Sequence, residues 1–319
     1  MIRNLLKITL RMNLYIKERR GNKMKTENMK KTAPLLVLIA GTLWGLMGIF
    51  VRKLGTYGFS SIQIAALRII FGALIFLVVL AVAKRELLEI RWRDLGLFFG
   101  MGIGSLLLFT VCYFTTINMA SLSVAAILLY TSPIWVMLMS LICFKEKMTK
   151  RKVFAVVMAF SGCVLVSGVG GATNLSAAAV GMGLMSAVGY ALYSILGTFA
   201  LRKYQPLTVT TYTFLCGSIG ALVVCKPADI VIKIAAADHS AGLLLLIIVT
   251  AFVTAVLPYL VYTIGLANMR ASSAAIIASI EPVVATIAGV LIFQEVMTIS
   301  AFVGILLVLG AIVVLNLKQ

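Results

Sequence analysis

Ten long apolar stretches follow one another with little between them: Ala33–Val51, Ile62–Ala83, Leu95–Thr116, Leu122–Phe144, Val153–Val169, Ala177–Ala200, Leu207–Cys225, Ala241–Leu266, Ala271–Phe293 and Ile299–Leu317. Each is within or close to the roughly 17–25 residues that cross a bilayer as a helix. Charged residues make up 12% of the chain, about half the share of a soluble domain, so the apolar excess must face lipid. Length alone suggests two domains. The short connections leave no room for one outside the membrane. The expectation is an all-α integral membrane protein with ten transmembrane helices.

The formal charge of +18 would suit a nucleic-acid partner, but its distribution argues otherwise. Counting alternate sides from the N-terminus, one side collects the ten basic residues that precede Ala33, then Lys84, Arg85, Arg91, Arg93, Lys145, Lys147, Lys150, Arg151, Lys152, Arg202, Lys203, Arg270 and Lys318. The other holds Arg52, Lys53, Lys226 and Lys233, and Arg68 lies inside a segment. Basic loops mark the cytoplasmic side, so both termini are expected there, in a bacterial inner membrane. Residues 1–32 read as a basic cytoplasmic lead. Ile2–Ile16 can form an amphipathic surface helix, and Met24 is an alternative start to Met1. The five cysteines, Cys112, Cys143, Cys163, Cys216 and Cys225, fall in apolar stretches without a CxxC, and read as small buried hydrophobes.

The chain also repeats. Tyr130-Thr131-Ser132-Pro133 leads to Phe144-Lys145-Glu146, and Ser279-Ile280-Glu281-Pro282 leads to Phe293-Gln294-Glu295. The prolines are 149 positions apart (282 − 133), and so are Tyr113 and Tyr262 (262 − 113). This divides the chain into halves, 33–170 and 177–317, of five segments each. An odd number inverts the second half relative to the first, the arrangement from which secondary transporters obtain two alternative open states. With Trp44 in the first segment, Arg68 in the second and the Pro…Glu pattern closing the fourth and ninth, the chain resembles the drug/metabolite transporter superfamily, more narrowly its EamA-type members. The resemblance implies an export carrier for amino acids, other metabolites or toxic compounds.

Glu281 lies about halfway along the ninth segment, where an ionised carboxylate costs at least a few kcal/mol. It can carry a proton, meet a cationic substrate, or cap backbone groups loosened by Pro282. Arg68, about 9 Å inside the outer end of its segment, can bind an anionic group, partner a carboxylate or snorkel outwards. Pro133 and Pro282 each remove a backbone hydrogen bond and are expected to kink their helices. Trp44, Tyr190 and Tyr193 lie too deep for an interfacial aromatic belt; with Tyr130, Ser132 and Glu281 they are expected to line a substrate cavity. Tyr113 and Tyr262 should lie near opposite surfaces, as belt residues or as paired gates. Glu146 and Glu295 read as solvated charges, and Gly96, Gly100 and Gly104 as a close-packing stripe.

Catalysis finds no support in the sequence: the single histidine, His239, stands beside Asp238, and there is no HExxH, nucleophile elbow or GxxxxGK[ST]. No cofactor or metal is expected. The expected partners are a small-molecule substrate, lipid and protons, with no nucleic acid, in a monomer or homodimer. The reading is a secondary transporter exporting a small organic solute by alternating access, driven by a proton gradient through Glu281, with sodium second. A facilitative uniporter or channel, an intramembrane enzyme and a regulatory membrane protein remain alternatives.

Overall fold

The structure is a computed structural model and describes residues 27–83, 85–167 and 176–316. Residues 1–26, which hold most of the basic lead and its expected surface helix, residues 168–175 and Lys318 lie outside the described residues, while Glu27–Thr32 belong to α1. Those described are almost wholly helical, with no strand among them. In chain order the long helices are α1 (Glu27–Gly55), α2 (Ser61–Val82), α3 (Trp92–Met119), α4 (Leu122–Phe144), α5 (Lys150–Ser167), α6 (Ala177–Ala200), α7 (Pro206–Val224), α8 (Ser240–Leu266), α9 (Ala271–Phe293) and α10 (Ile299–Asn316). Nine of these, all but α5, are long and apolar enough to cross a membrane. The first turn of α5 holds Lys150, Arg151 and Lys152, which lowers its apolar character. A short helix, Pro227–Ala235, stands between α7 and α8, where the apolar pattern leaves only a connection.

Burial follows the logic of a protein dissolved in lipid. Large aliphatic side chains face outwards, with Val82 83%, Ile142 78% and Val223 81% exposed. Buried positions on α7 include Thr208, Thr210, Thr211 and Thr213. A buried hydroxyl needs a partner, and those of Thr211 and Thr213 donate 2.7 Å bonds to the carbonyls one turn back, of Leu207 and Val209. Lipid tails are as apolar as leucine, so helices associate through close van der Waals fit rather than hydrophobic burial. At the α5–α10 crossing, a Cβ on Gly162 would stand 2.7 Å from the Gly304 carbonyl, and one on Gly304 2.6 Å from that of Gly162.

Helix α3 corrects one expectation. A Cβ on Gly96 or Gly104 would meet nothing within 4 Å, so Gly96, Gly100 and Gly104 are not a packing stripe. The close approach is at Gly102, where a Cβ would run into the backbone of α7 at Gly217 and Thr213. Gly102 stands two residues, about 200° of helix rotation, from Gly100 and so presents the opposite side of the helix, at the point where a π-helical stretch, Gly102–Leu107, begins.

The internal repeat extends to backbone detail. The π stretch of α3 has a counterpart in α8, Phe252–Val256. Helix α4 breaks into Leu122–Leu129 and Ser132–Phe144, and α9 into Ala271–Ala278 and Glu281–Phe293. The prolines therefore do not kink a continuous helix. They open its second limb, where the missing N–H costs little. Both limbs end on a left-handed non-glycine residue, Lys145 at φ 52° and Gln294 at φ 55°. Its N–H and the next one share a single carbonyl near the helix end, Ser140 for Lys145 and Glu146, Gly289 for Gln294 and Glu295, with the second bond at 3.3 and 3.2 Å, which satisfies an acceptor that the helix end leaves free.

Of the cysteines, four are buried and Cys143 is exposed on α4, so it is not the buried hydrophobe expected; all five are free thiols.

Candidate functional site

Helices α1, α2, α3, α6, α7, α8 and α9 converge on a small cavity of about 40 Å³, room for a few water molecules. Trp44 forms one wall, two residues before α1 breaks at Leu46. Its ring stands edge-on to Tyr259 at 5.1 Å and to Tyr190 at 6.1 Å, and tilted on Tyr262 at 5.3 Å. Phe109 and Phe214 continue the wall. The hydroxyls of Tyr190 and Tyr259 have no hydrogen-bond partner among the described residues, whereas those of Tyr193 and Tyr262 are taken up by Thr263 at 2.8 Å and Ser194 at 2.7 Å.

Two opposite charges line this cavity, Arg68 and Glu281. Arg68 does not snorkel to the interface. It turns inwards and donates from Nε to the Thr254 hydroxyl and from Nη2 to the Thr254 carbonyl, both at 2.7 Å. That carbonyl is free because Pro258, four residues on, has no N–H to offer it. Glu281 opens the second limb of α9, and its carboxylate has no hydrogen-bond or ion-pair partner among the described residues.

On its other side Glu281 borders a smaller cavity, lined also by Leu129, Tyr130, Ser132, Pro133, Ala278 and Ser279. The carbonyls left free by Pro133 and Pro282 are those of Leu129 and Ala278, so both helix breaks meet at this cavity. Tyr193 lines only a narrow extension of the aromatic cluster. Tyr113 is partly buried beside Phe109, at 5.9 Å.

Two expectations are corrected. Tyr262 is 2% exposed and lies in the central aromatic cluster, so it belongs to no surface belt; the π stretch and Pro258 before it carry it inwards. Glu146 is not solvated: it bonds Lys152, with both side chains under 10% exposed, and accepts from the Ser272 hydroxyl at 2.5 Å. Glu295 is about half exposed and pairs with Arg52, whose guanidinium lies over the Phe293 ring at 4.1 Å. Sequence reasoning misses Thr254, Pro258 and Tyr259. Their only signal is a proline within an apolar run, with a threonine four residues before it. No cluster of three or more His, Cys, Asp or Glu suited to a metal occurs among the described residues.

This is the architecture of a multi-pass membrane protein with a polar site enclosed between its helices. The family model for the EamA-like transporter family matches residues 31–168 and again residues 177–317. The chain belongs to that family, part of the drug/metabolite transporter superfamily. It is 29% identical over 291 residues to an uncharacterized transporter of Archaeoglobus fulgidus, covering 91% of this chain and all of that one. It is 24% identical over 262 residues to the uncharacterized transporter YyaM of Bacillus subtilis, covering 80% and 84%. A solved crystal structure superimposes with a TM-score of 0.74 at 16% identity, over 90% of this chain and 96% of that one, a likeness of fold.

Proposed function

We propose that this protein is a secondary carrier that exports a small organic solute across the inner membrane by alternating access. Ten spanning helices form two inverted five-helix halves, with both termini cytoplasmic, and Glu281 couples export to proton entry. The observation that carries the reading is the unpartnered Glu281 carboxylate, set between two cavities where both broken helices meet. A charge held without a partner at membrane depth is costly, and a coupling role gives it a use: Glu281 takes up a proton in one facing state and releases it in the other as its solvation changes. The matching breaks in α4 and α9 support a rocking motion of one half against the other.

The test is Glu281→Gln, which keeps the size and hydrogen bonding of the protonated acid and cannot titrate. In proteoliposomes the variant should equilibrate a transported solute and fail to concentrate it under an imposed pH gradient. Concentration at the parental level would remove Glu281 from coupling. Sodium is the second reading, favoured by the smaller cavity, where Ser132 and Ser279 add oxygen atoms to the carboxylate. Concentration that follows a sodium gradient and ignores pH would select it.

A further inference from the structure

The two broken helices are equal in length and unequal in contact. Each has a first limb of 8 residues and a second of 13. The first limb of α9, Ala271–Ala278, packs against the second limb of α4, Ser132–Phe144, whereas the equivalent limbs, Leu122–Leu129 and Glu281–Phe293, stand apart. The helices therefore meet at the end that holds Glu146 and diverge at the end that holds Glu295. At the joined end Ser272 donates to Glu146 at 2.5 Å, and Lys152 bonds both. Ser272 follows Ser123 by 149 positions (272 − 123), and Glu295 follows Glu146 by the same number (295 − 146). The diverging end thus carries the same serine and glutamate. There the Ser123 hydroxyl has no hydrogen-bond partner among the described residues, and Glu295 is held by Arg52 in a half-exposed pair. Both glutamates follow a left-handed residue, Lys145 or Gln294, so the chain presents them alike. The flanking rings match too. Arg52 lies over Phe293 at 4.1 Å and Arg202 over Phe144 at 5.3 Å, each arginine coming from the end of the first helix of the other half.

We infer that the outer end closes by exchange of these contacts: the first limb of α4 packs against the second limb of α9, the Ser123 hydroxyl donates to the Glu295 carboxylate, and Ser272 releases Glu146. This rests on the carrier reading above and deepens it by naming the residues that close the outer end. Two packings built from the same residue types differ little in free energy, which is what an exchange between two discrete arrangements requires. The exchange is not evenly balanced. The position that matches Lys152 is Ala301 (301 − 152 is again 149), so the outer closure lacks the third member and its charge. Lys152 therefore biases the protein towards the arrangement described above, with the Glu146 end closed.

Distances between spin labels read the exchange without any solute. Labels at Met119 and Ile299, exposed residues at the ends of α3 and α10 beside Ser123 and Glu295 in the chain, report whether the halves close there. The sample is the full-length protein in lipid nanodiscs, with the exposed Cys143 replaced by Ser. Ser272→Ala removes one charge-assisted hydrogen bond from the joined end and keeps the ion pair, so it should raise the short-distance population roughly 10-fold. Adding Ser123→Ala should return most of it. Ser123→Ala alone should leave the unfolding midpoint at the parental value, since Ser123 has no partner in this arrangement, whereas Ser272→Ala should lower it. A thiol-bridging reagent should join Ser123→Cys to Glu295→Cys several-fold faster in the Ser272→Ala background than with Ser272 intact. If Ser272→Ala does not fold, Glu146→Leu/Lys152→Met, which opens the same end without leaving a lone charge, takes its place. A short-distance population indifferent to Ser123→Ala, or cross-linking at one rate in both backgrounds, overturns the exchange. Distances that shorten all the same leave the carrier reading standing on other closing contacts. Distances that stay long in every variant overturn both.

Discussion

The Ser272 hydroxyl donates to Glu146 Oε1 at 2.5 Å, tying the end of α4 to the start of α9. Lys152, at the start of α5, completes the link by bonding both residues. Three helices from the two halves of the sequence thus converge on one buried ion pair. Its counterpart by position in the repeat, Glu295, instead meets Arg52 in a half-exposed pair. In the proposed cycle, the buried link closes the cytoplasmic end while the cavity beside Arg68 and Met47 lies towards the outer one.

Removing one member of the buried pair leaves the other charge without compensation. Lys152→Met should therefore lower stability in detergent by about 3–5 kcal/mol, and Glu146→Leu/Lys152→Met should regain most of it. In the double variant a cysteine placed at Ala275, on the smaller cavity, should react faster with a thiol reagent applied from the cytoplasmic side. Unchanged reactivity in a folded double variant would leave the pair as a structural tie only.

The aromatic cluster divides into walls and supports. Trp44→Ala opens the cavity and should reduce transport severely, with a loss of stability of about 3–5 kcal/mol because the ring is also packed. Tyr259→Phe removes only an unpartnered hydroxyl and should weaken transport at parental stability. Tyr193→Phe breaks the bond to Thr263 and should cost about 1 kcal/mol; Thr263 keeps its bond to the Tyr259 carbonyl at 2.7 Å. Unfolding midpoints and initial transport rates measured on the same preparations distinguish these. Parallel losses in all three variants would mean that the cluster is packing alone.

Topology follows from the basic bias and the short helix Pro227–Ala235. A reporter inserted at Lys147 should report cytoplasm, and one inserted at Ala235 should report the outside. The reverse pattern would invert the orientation. The same location for both would overturn the odd number of crossings between them.

Glycine carries the helix contacts. Gly304→Leu places side-chain atoms where the Gly162 carbonyl stands, and should cost about 1–3 kcal/mol or more by overpacking. Gly181→Ala, on an open face of α6 where a Cβ meets nothing within 4 Å, should stabilise by about 1 kcal/mol through helix propensity. Equal effects on the unfolding midpoint would contradict the packing described.

Whereas the break of α1 at Leu46 has no proline to mark it, the membrane, the helical architecture and the places where α4 and α9 break are legible in the order of residues. Each follows from local chemistry: apolar length, absent proline N–H groups, and the spacing of Pro133 and Pro282 with their following Phe and Glu residues. Trp44, Tyr190 and Glu281 stand out as cavity candidates because polar or aromatic groups at membrane depth need an explanation. Four features emerge only once the helices are packed: Arg68 points inwards, Tyr262 joins the centre, Glu146 is buried, and Gly102 rather than Gly100 meets the α7 backbone. A helix in lipid is apolar on all sides, so no polar face marks which side turns inwards. Two π-helical stretches then rotate α3 and α8 by amounts that apolar sequence leaves unmarked, and what faces the cavity follows from that rotation.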